Sequence, residues 1–283
     1  MKRIAILGCE NSHANGFLNA IRDIEKYKDV EVVGVYSTER DASMKLAEQY
    51  GVPVLNSPEE CVGKIDGLII TSRHGYYHGK WAKLFMESGI PMFIDKPITI
   101  TEKEAQDLYN DLKAHNIKVC GGSSLSGAAY IKELAAIVAE KGATGGYFKA
   151  PLNLDNPHGD FFFYAEHLVA MMCAVFGFYP ESIYAKRGAN TVDCIVNYGD
   201  KNVHLCYTTN CWKYYALVTN KEGVFSGEVL TPGYTGEFDE FYELMGDGKS
   251  RDYSDLVAPA YIMNAIYRSM ITGKEEPVNK LDK

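Results

Sequence analysis

The feature that most restricts the fold lies in the first 120 residues, where short apolar runs alternate with helical patterns. Arg3–Leu7, Val30–Tyr36, Gly67–Thr71, Met92–Ile94 and Lys118–Cys120 are β-branched and apolar along both faces, as strands of a buried parallel sheet are. Between them, His13–Lys26, Arg40–Tyr50, Tyr77–Ser88 and Glu102–His115 carry helical periodicity. Gly51 and Gly89 stand where C-cap glycines stand, and Thr101 with Glu104 makes a capping box. This alternation predicts an α/β domain with a doubly wound parallel sheet, in which ligands bind outside the carboxyl ends of the strands.

The pattern changes after Gly121-Gly122-Ser123-Ser124, which reads as a hinge. A helix over Tyr130–Lys141 precedes longer, alternating strands at Val192–Tyr198, Asn202–Thr209, Tyr214–Asn220 and Val224–Val229, joined by turns such as Tyr198-Gly199-Asp200-Lys201. That is the grammar of antiparallel hairpins. One helix, Phe161–Phe176, interrupts them, and two more close the chain near Glu237–Met245 and Pro259–Thr272. The expectation is an N-terminal domain over residues 1–121 and an α+β domain over 122–283 with an open, mainly antiparallel sheet. Many of the 20 tyrosines fall in the second half. An open sheet with one aromatic face predicts a homodimer or homotetramer formed through it.

Charge and cysteine content exclude several classes. The net charge of −8 opposes binding to phosphate backbones, so no nucleic-acid partner is expected. No apolar run is long enough to span a bilayer, and Ile4–Leu7 is too short for a signal peptide. The expectation is a cytoplasmic protein with no membrane partner. Seven widely spaced cysteines without a C-x-x-C suit scattered buried thiols in a reducing compartment. The nearest metal-like spacing, His74-x-x-x-His78, is interrupted by Gly75, which argues for a loop, so no metal is expected.

The loop after the first strand reads Gly8-Cys9-Glu10-Asn11-Ser12-His13. A dinucleotide-binding turn carries G-x-G-x-x-G there, and only Gly8 conforms. Glu10 and His13 take the places of the second and third glycines. Asn11 and Ser12 remain as capping and anion-binding side chains at a helix N-terminus. Whether the loop takes a dinucleotide is open on these residues alone. At the end of the second strand, Ser37 stands where an acid would select NAD, with Arg40 near it. Small hydroxyls and a guanidinium suit a 2′-phosphate and favour NADP; Ser37 as a helix cap beside a solvated Arg40 is the competing reading. Lys96 follows the fourth strand, flanked by Asp95 and Pro97. An amine close to a cationic ring titrates nearer neutrality and suits acid–base work; a solvated surface lysine is the alternative. His167 lies on a mostly apolar helix face, where a core histidine is the plain reading.

Three segments, in order, resemble the glucose–fructose oxidoreductase / inositol dehydrogenase (Gfo/Idh/MocA) family. Asp66-Gly67-Leu68-Ile69-Ile70-Thr71 followed by His78 resembles its D-x-V-x-I-x-T-P-x-x-x-H run. Gly89 through Asp95-Lys96-Pro97 resembles A-G-K-H-V-x-x-E-K-P, with Asp for Glu. Phe163–Gly177 resembles the D-x-G-x-H-x-x-D helix. The resemblance implies a Rossmann-type first domain and an NAD(P)-dependent oxidoreductase acting on a hydroxyl or carbonyl of a small, sugar-like substrate. It implies that Lys96 exchanges the substrate-oxygen proton and that His167 shares the transfer. Asp95 would position Lys96 or a ribose hydroxyl. Gly8, Asn11, Ser12 and His13 would line the pyrophosphate loop, Ser37 and Arg40 the adenosine ribose, and Thr71, His74 and His78 the nicotinamide side. The family's helix aspartates fall at Phe163 and Ala170, and its glycine at Ala165. Substrate contacts would then come from Tyr164, Glu166, His158 and Asp160. The rival expectation from the same departures is a cofactor-free ligand-binding or regulatory protein on this scaffold.

Overall fold

A computed structural model describes residues 1–283. The chain forms two units: Met1–Thr99 with Lys103–Gly122 and Gly233–Val257, and Ile100–Glu102 with Ser123–Pro232 and Ala258–Lys283.

The first unit contains β1 (Lys2–Leu7), α1 (Ser12–Asp23), β2 (Val30–Tyr36), α2 (Arg40–Tyr50), β3 (Gly67–Ile70), α3 (Tyr76–Lys83), β4 (Met92–Asp95), most of α4 (Glu102–Ala114) and β5 (Val119–Gly122). The strands pair in parallel in the order β2-β1-β3-β4-β5. β3 and β4 are buried along their whole length, which explains their unbroken apolar sequence. Leu7 pairs with Ile70, Ile70 with Ile94, and Asp95 with Gly122, so the loops that follow leave one edge of the sheet together. This is the Rossmann-type parallel sheet that the strand–helix alternation predicts.

The second unit is built from α5 (Ala129–Lys141), β6 (Gly145–Pro151), α6 (Phe162–Phe176), β7 (Ser182–Arg187), β8 (Thr191–Asn197), β9 (Asn202–Thr208), β10 (Tyr214–Asn220) and β11 (Gly223–Val229), with β12 (Glu276–Pro277) at one edge. The sheet order is β11-β10-β6-β9-β8-β7-β12. Every pairing is antiparallel except β6 with β9. Leu168, Met171, Met172 and Val175 of α6 join Phe148, Leu205, Tyr207 and Val218 of the sheet in one apolar core. The outward positions include Tyr147, Tyr184, Ile195, Tyr215 and Val224, 36–63% exposed. β6 and β7 were not anticipated as strands. Both carry short alternating patterns next to lysine or arginine, which dilutes the apolar signal.

The chain then returns to the first unit with α7 (Tyr234–Leu244) and leaves it again along α8 (Tyr253–Thr272), which passes from one unit to the other at Val257–Ala258. The expectation that all of 122–283 forms the second domain therefore misplaces residues 233–257. Phe238, Phe241 and Leu244 of α7 pack with Phe17, Tyr27 and Phe93; the Tyr27 and Phe238 ring centres are 4.8 Å apart, near perpendicular. A Cβ at Gly16 would lie 2.1 Å from the Tyr234 ring, so only glycine lets that ring settle on α1. The expected helix start at Pro259 is also too late. Asp252 Oδ1 accepts the amides of Ser254 (2.8 Å) and Asp255 (3.2 Å), and this N-cap starts α8 upstream of a proline that the helix tolerates inside.

Phe238→Ala should lower unfolding stability by about 3–5 kcal/mol, read from urea titration; a loss below about 1 kcal/mol would show that α7 is not part of the core. Among the thiols, burial raises Cys9, Cys61 and Cys194, whereas Cys211 is exposed and its thiol is held below the usual value by Lys149 and the Lys213 backbone. Iodoacetamide at near-neutral pH should label Cys211 first, as peptide mass mapping would show.

Candidate active site

At the carboxyl edge of the parallel sheet, the loop Gly8–Asn11 is fastened to its neighbours. Gly8 has φ +99°, and a Cβ there would fall 2.1 Å from the Ser72 nitrogen. Both facts require glycine. The Gly8 amide donates to Tyr36 O at 2.7 Å, and Thr71 Oγ1 donates to Gly8 O at 2.6 Å. Asn11 caps α1, its Oδ1 accepting from the His13 and Ala14 amides, while its Nδ2 donates to Thr71 O.

Glu10 takes a place the sequence did not suggest. Its carboxylate turns from the helix N-terminus toward the ends of β2 and β3. Ser37 Oγ donates to Oε2 at 2.6 Å and the Arg73 amide donates to Oε1 at 2.9 Å. Ser37 also accepts the Glu39 amide at 3.0 Å; the N-cap of α2 is Glu39, so Ser37 closes the turn before the helix and does not cap it. Arg40 reaches only Asn56, at 3.4 Å. The hydroxyl and guanidinium expected to meet a 2′-phosphate are thus not paired with each other; a carboxylate sits with the hydroxyl instead.

The remaining loop residues turn toward protein groups. Ser12 Oγ accepts from Tyr234 OH at 2.7 Å. His13 Nδ1 lies 3.1 Å from Asp95 Oδ2 and 3.9 Å from Glu237 Oε2. All three residues are buried, Asp95 completely. Burial works against charge on His13, yet Asp95 outweighs it and raises the imidazole pKa. For Asp95, burial opposes ionisation, but His13 and the Lys96 amide hold the carboxyl below its usual range. Burial dominates at Glu237, whose carboxyl is pushed up to about 8. Lys96 itself is buried immediately after β4, its amide donating to Asp95 Oδ1 at 2.7 Å, and the Lys96–Pro97 peptide is cis.

His74 and His78 do not share a helix face. Gly75 is the N-cap of α3, which leaves His74 in the preceding loop, where its Nδ1 accepts the Tyr76 amide at 3.2 Å. His78 is fully buried inside the helix with Nε2 2.9 Å from Ser72 O, and burial lowers its pKa.

In the second unit, His167 is buried on α6 with Nδ1 2.7 Å from Ser123 Oγ. The Leu125 amide donates to the same oxygen at 3.3 Å, so one Ser123 hydroxyl serves both the imidazole and the start of the following turn. The Tyr164 and Tyr214 rings lie 5.8 and 6.0 Å from the imidazole. Tyr164 also meets Trp212 edge-on at 5.4 Å, and His158 stands 5.8 Å from Phe163. Asp160 has φ +47° in the loop before α6. Glu166 is buried rather than exposed.

Residues 2–122 match the model of the oxidoreductase family with an NAD-binding Rossmann fold, GFO_IDH_MocA. No curated protein matches the chain in sequence. Solved structures agree over nearly the full length. The myo-inositol dehydrogenase of Corynebacterium glutamicum superposes with a TM-score of 0.82 at 17% identity, covering 99% of each chain. The scyllo-inositol dehydrogenase of Lactobacillus casei gives 0.83 at 13%, covering 98% of each chain. The WlbA dehydrogenase of Chromobacterium violaceum, solved with NADH and UDP-GlcNAcA, gives 0.82 at 16%, covering 100% of this chain and 97% of that one. At such identities the likeness is one of fold.

Sequence reasoning missed Glu237, Ser123 and Tyr234. Glu237 left only a weak signal, one of four acids in α7, standing one residue before Phe238. Its raised pKa has a measurable consequence. The folded protein retains the Glu237 proton up to about pH 8, whereas the unfolded chain releases it near pH 4.5. Stability contributed by the neutral form is therefore complete below about pH 4.5 and is lost as pH rises toward 8. In chelator-treated protein, Glu237→Gln should gain on wild type by a few kcal/mol across that window, read as urea midpoints at several pH values. Parallel pH profiles would disprove it.

Proposed function

We propose that the protein is an NAD-dependent oxidoreductase acting on a hydroxyl or carbonyl carbon of a small, sugar-like molecule. The observation that carries this reading is a buried lysine, Lys96, at the carboxyl end of β4 in the very sheet that matches the NAD-binding family. The donors and acceptors at that edge suit such a cofactor. Gly8 permits the tight turn, and the Glu10 carboxylate beside Ser37 offers an acceptor for ribose hydroxyls at the end of β2. The same carboxylate repels a 2′-phosphate. This reverses the preference for NADP drawn from Ser37 and Arg40.

The bound nicotinamide supplies hydride exchange at its C4. In this reading the Lys96 ammonium gives its proton to the substrate oxygen in reduction, and the amine takes it back in oxidation. Asp95 accepts the Lys96 amide and so fixes the backbone from which the amine extends. His167, held at Nδ1 by Ser123, is the second unit's candidate for relaying that proton. Tyr164, His158 and Asp160 offer contacts for further hydroxyls, and the Phe163 and Ala170 substitutions point to a less polar substrate than a full polyol. The inositol dehydrogenases and the dehydrogenase bound to NADH and UDP-GlcNAcA among the structural neighbours support the class. No helix is long and apolar enough to cross a membrane; we place the protein in the cytoplasm. The outward aromatic face of the second sheet is proposed to pair two copies, which light scattering of the eluted protein would measure.

Fluorescence titration with NADH and NADPH tests the cofactor. NADH should bind at least about tenfold tighter, a difference of about 1.4 kcal/mol, and Glu10→Gln should narrow the gap. An absence of binding at millimolar cofactor would instead support a cofactor-free regulatory protein. Lys96→Ala should reduce turnover on the order of 100-fold or more while cofactor binding persists; an unchanged rate would remove the lysine from the chemistry.

A further inference from the structure

His13, Asp95 and Glu237 reach one point from three separate elements: the first turn of α1, the end of β4 and the first turn of α7. One donor atom of each lies within 4.8 Å of the others. Both Glu237 oxygens are buried without a hydrogen-bond partner, and His13 Nδ1 and Asp95 Oδ2, 3.1 Å apart, meet each other without the alignment of a hydrogen bond. Even with a proton on Glu237, neither of its oxygens finds a protein partner, so acceptor capacity in the cluster is left unused. Buried oxygens of this kind cost free energy unless something positive meets them.

We propose that His13, Asp95 and Glu237 form a site for one divalent transition-metal cation of the Zn²⁺ or Mn²⁺ class. A neutral imidazole and two carboxylates are the donor set that such ions take, and once the metal displaces the protons on Glu237 and His13 their summed charge matches a dication. Donors about 2.0–2.2 Å from a common ion stand roughly 3–4.3 Å apart, and the observed 3.1 and 3.9 Å separations from His13 fall in that range. Asp95 is already oriented, since its other oxygen accepts the Lys96 amide at 2.7 Å. That is how outer partners hold a ligating carboxylate. The Tyr234 ring, 5.0 Å from the imidazole, walls one side. Lys96 and Glu240 also act electrostatically on the cluster, with opposite signs. Three protein ligands leave further coordination positions for water or a substrate oxygen.

The proposal concerns binding and does not rest on the redox reading. Chelator-treated, dialysed full-length protein is titrated with ZnCl₂ against a chromophoric competitor, and with MnCl₂ by the paramagnetic resonance of free Mn²⁺. The expected result is one equivalent of at least one ion per chain at micromolar affinity or better. Glu237→Gln, which removes a charge at constant shape, should weaken it on the order of 100-fold, and His13→Gln likewise, with circular dichroism confirming the fold. Should either variant fail to fold, Co²⁺ absorption of the wild type decides, through the ligand-field bands of a nitrogen- and oxygen-ligated ion. Substoichiometric uptake of both ions by wild type, or wild-type affinity in folded Glu237→Gln, overturns the proposal.

Discussion

A strand buried on both faces of a parallel sheet has nowhere to place a polar side chain except at its ends. β3 and β4 obey this strictly, and the polar residues of the first unit accumulate where the strands stop. Thr71 follows β3, Asp95 ends β4 and Lys96 comes next. Because register aligns the strand ends, these groups gather on one edge without any loop having to reach for them. The helix N-terminus at Ser12 joins the same edge, since α1 begins a few residues after β1 stops. The chemistry proposed for the protein follows from that restriction on burial.

What a glycine would have done in the first loop is done here by side chains. Glu10 ties the ends of β2 and β3 by accepting from Ser37 and Arg73, Asn11 holds Thr71, and His13 leans on Asp95. Departures from a glycine motif that look like losses in the sequence are, in the folded chain, an internally bonded loop. The carboxylate supplied by Glu10 also arrives where an acid at the end of β2 would normally stand. The binding chemistry of the edge therefore depends on where the side chain ends rather than on which residue number carries it.

The parallel sheet was legible because its signals are local: apolar runs, cap glycines and the Thr101/Glu104 box lie within a few residues of the elements they mark. α2 and β10 have the bounds their sequence patterns gave. The roles given to the lysine after β4 and the histidine of α6 came from the family resemblance alone, since type and spacing by themselves also fit a solvated lysine and a core histidine. Pairings distant in sequence were not legible. Glu237 approaches His13 across more than two hundred positions, and no periodicity records that. The destination of the Glu10 carboxylate depends on χ angles, which composition does not encode. Pro259 misled for a related reason: its local meaning is a helix start, but the Asp252 cap upstream overrode it.

The return of α7 to the first sheet has a consequence for the order of biosynthesis. Phe17 and Phe93 emerge from the ribosome early, yet the aromatic residues that shield them, Phe238 and Phe241, are made only after the intervening stretch Ser123–Pro232 of the second unit. At typical elongation speeds of about 5–20 residues per second, the nascent chain carries an uncovered greasy flank for many seconds. During that interval it is the growing polypeptide, rather than the finished one, that exposes this apolar surface to water.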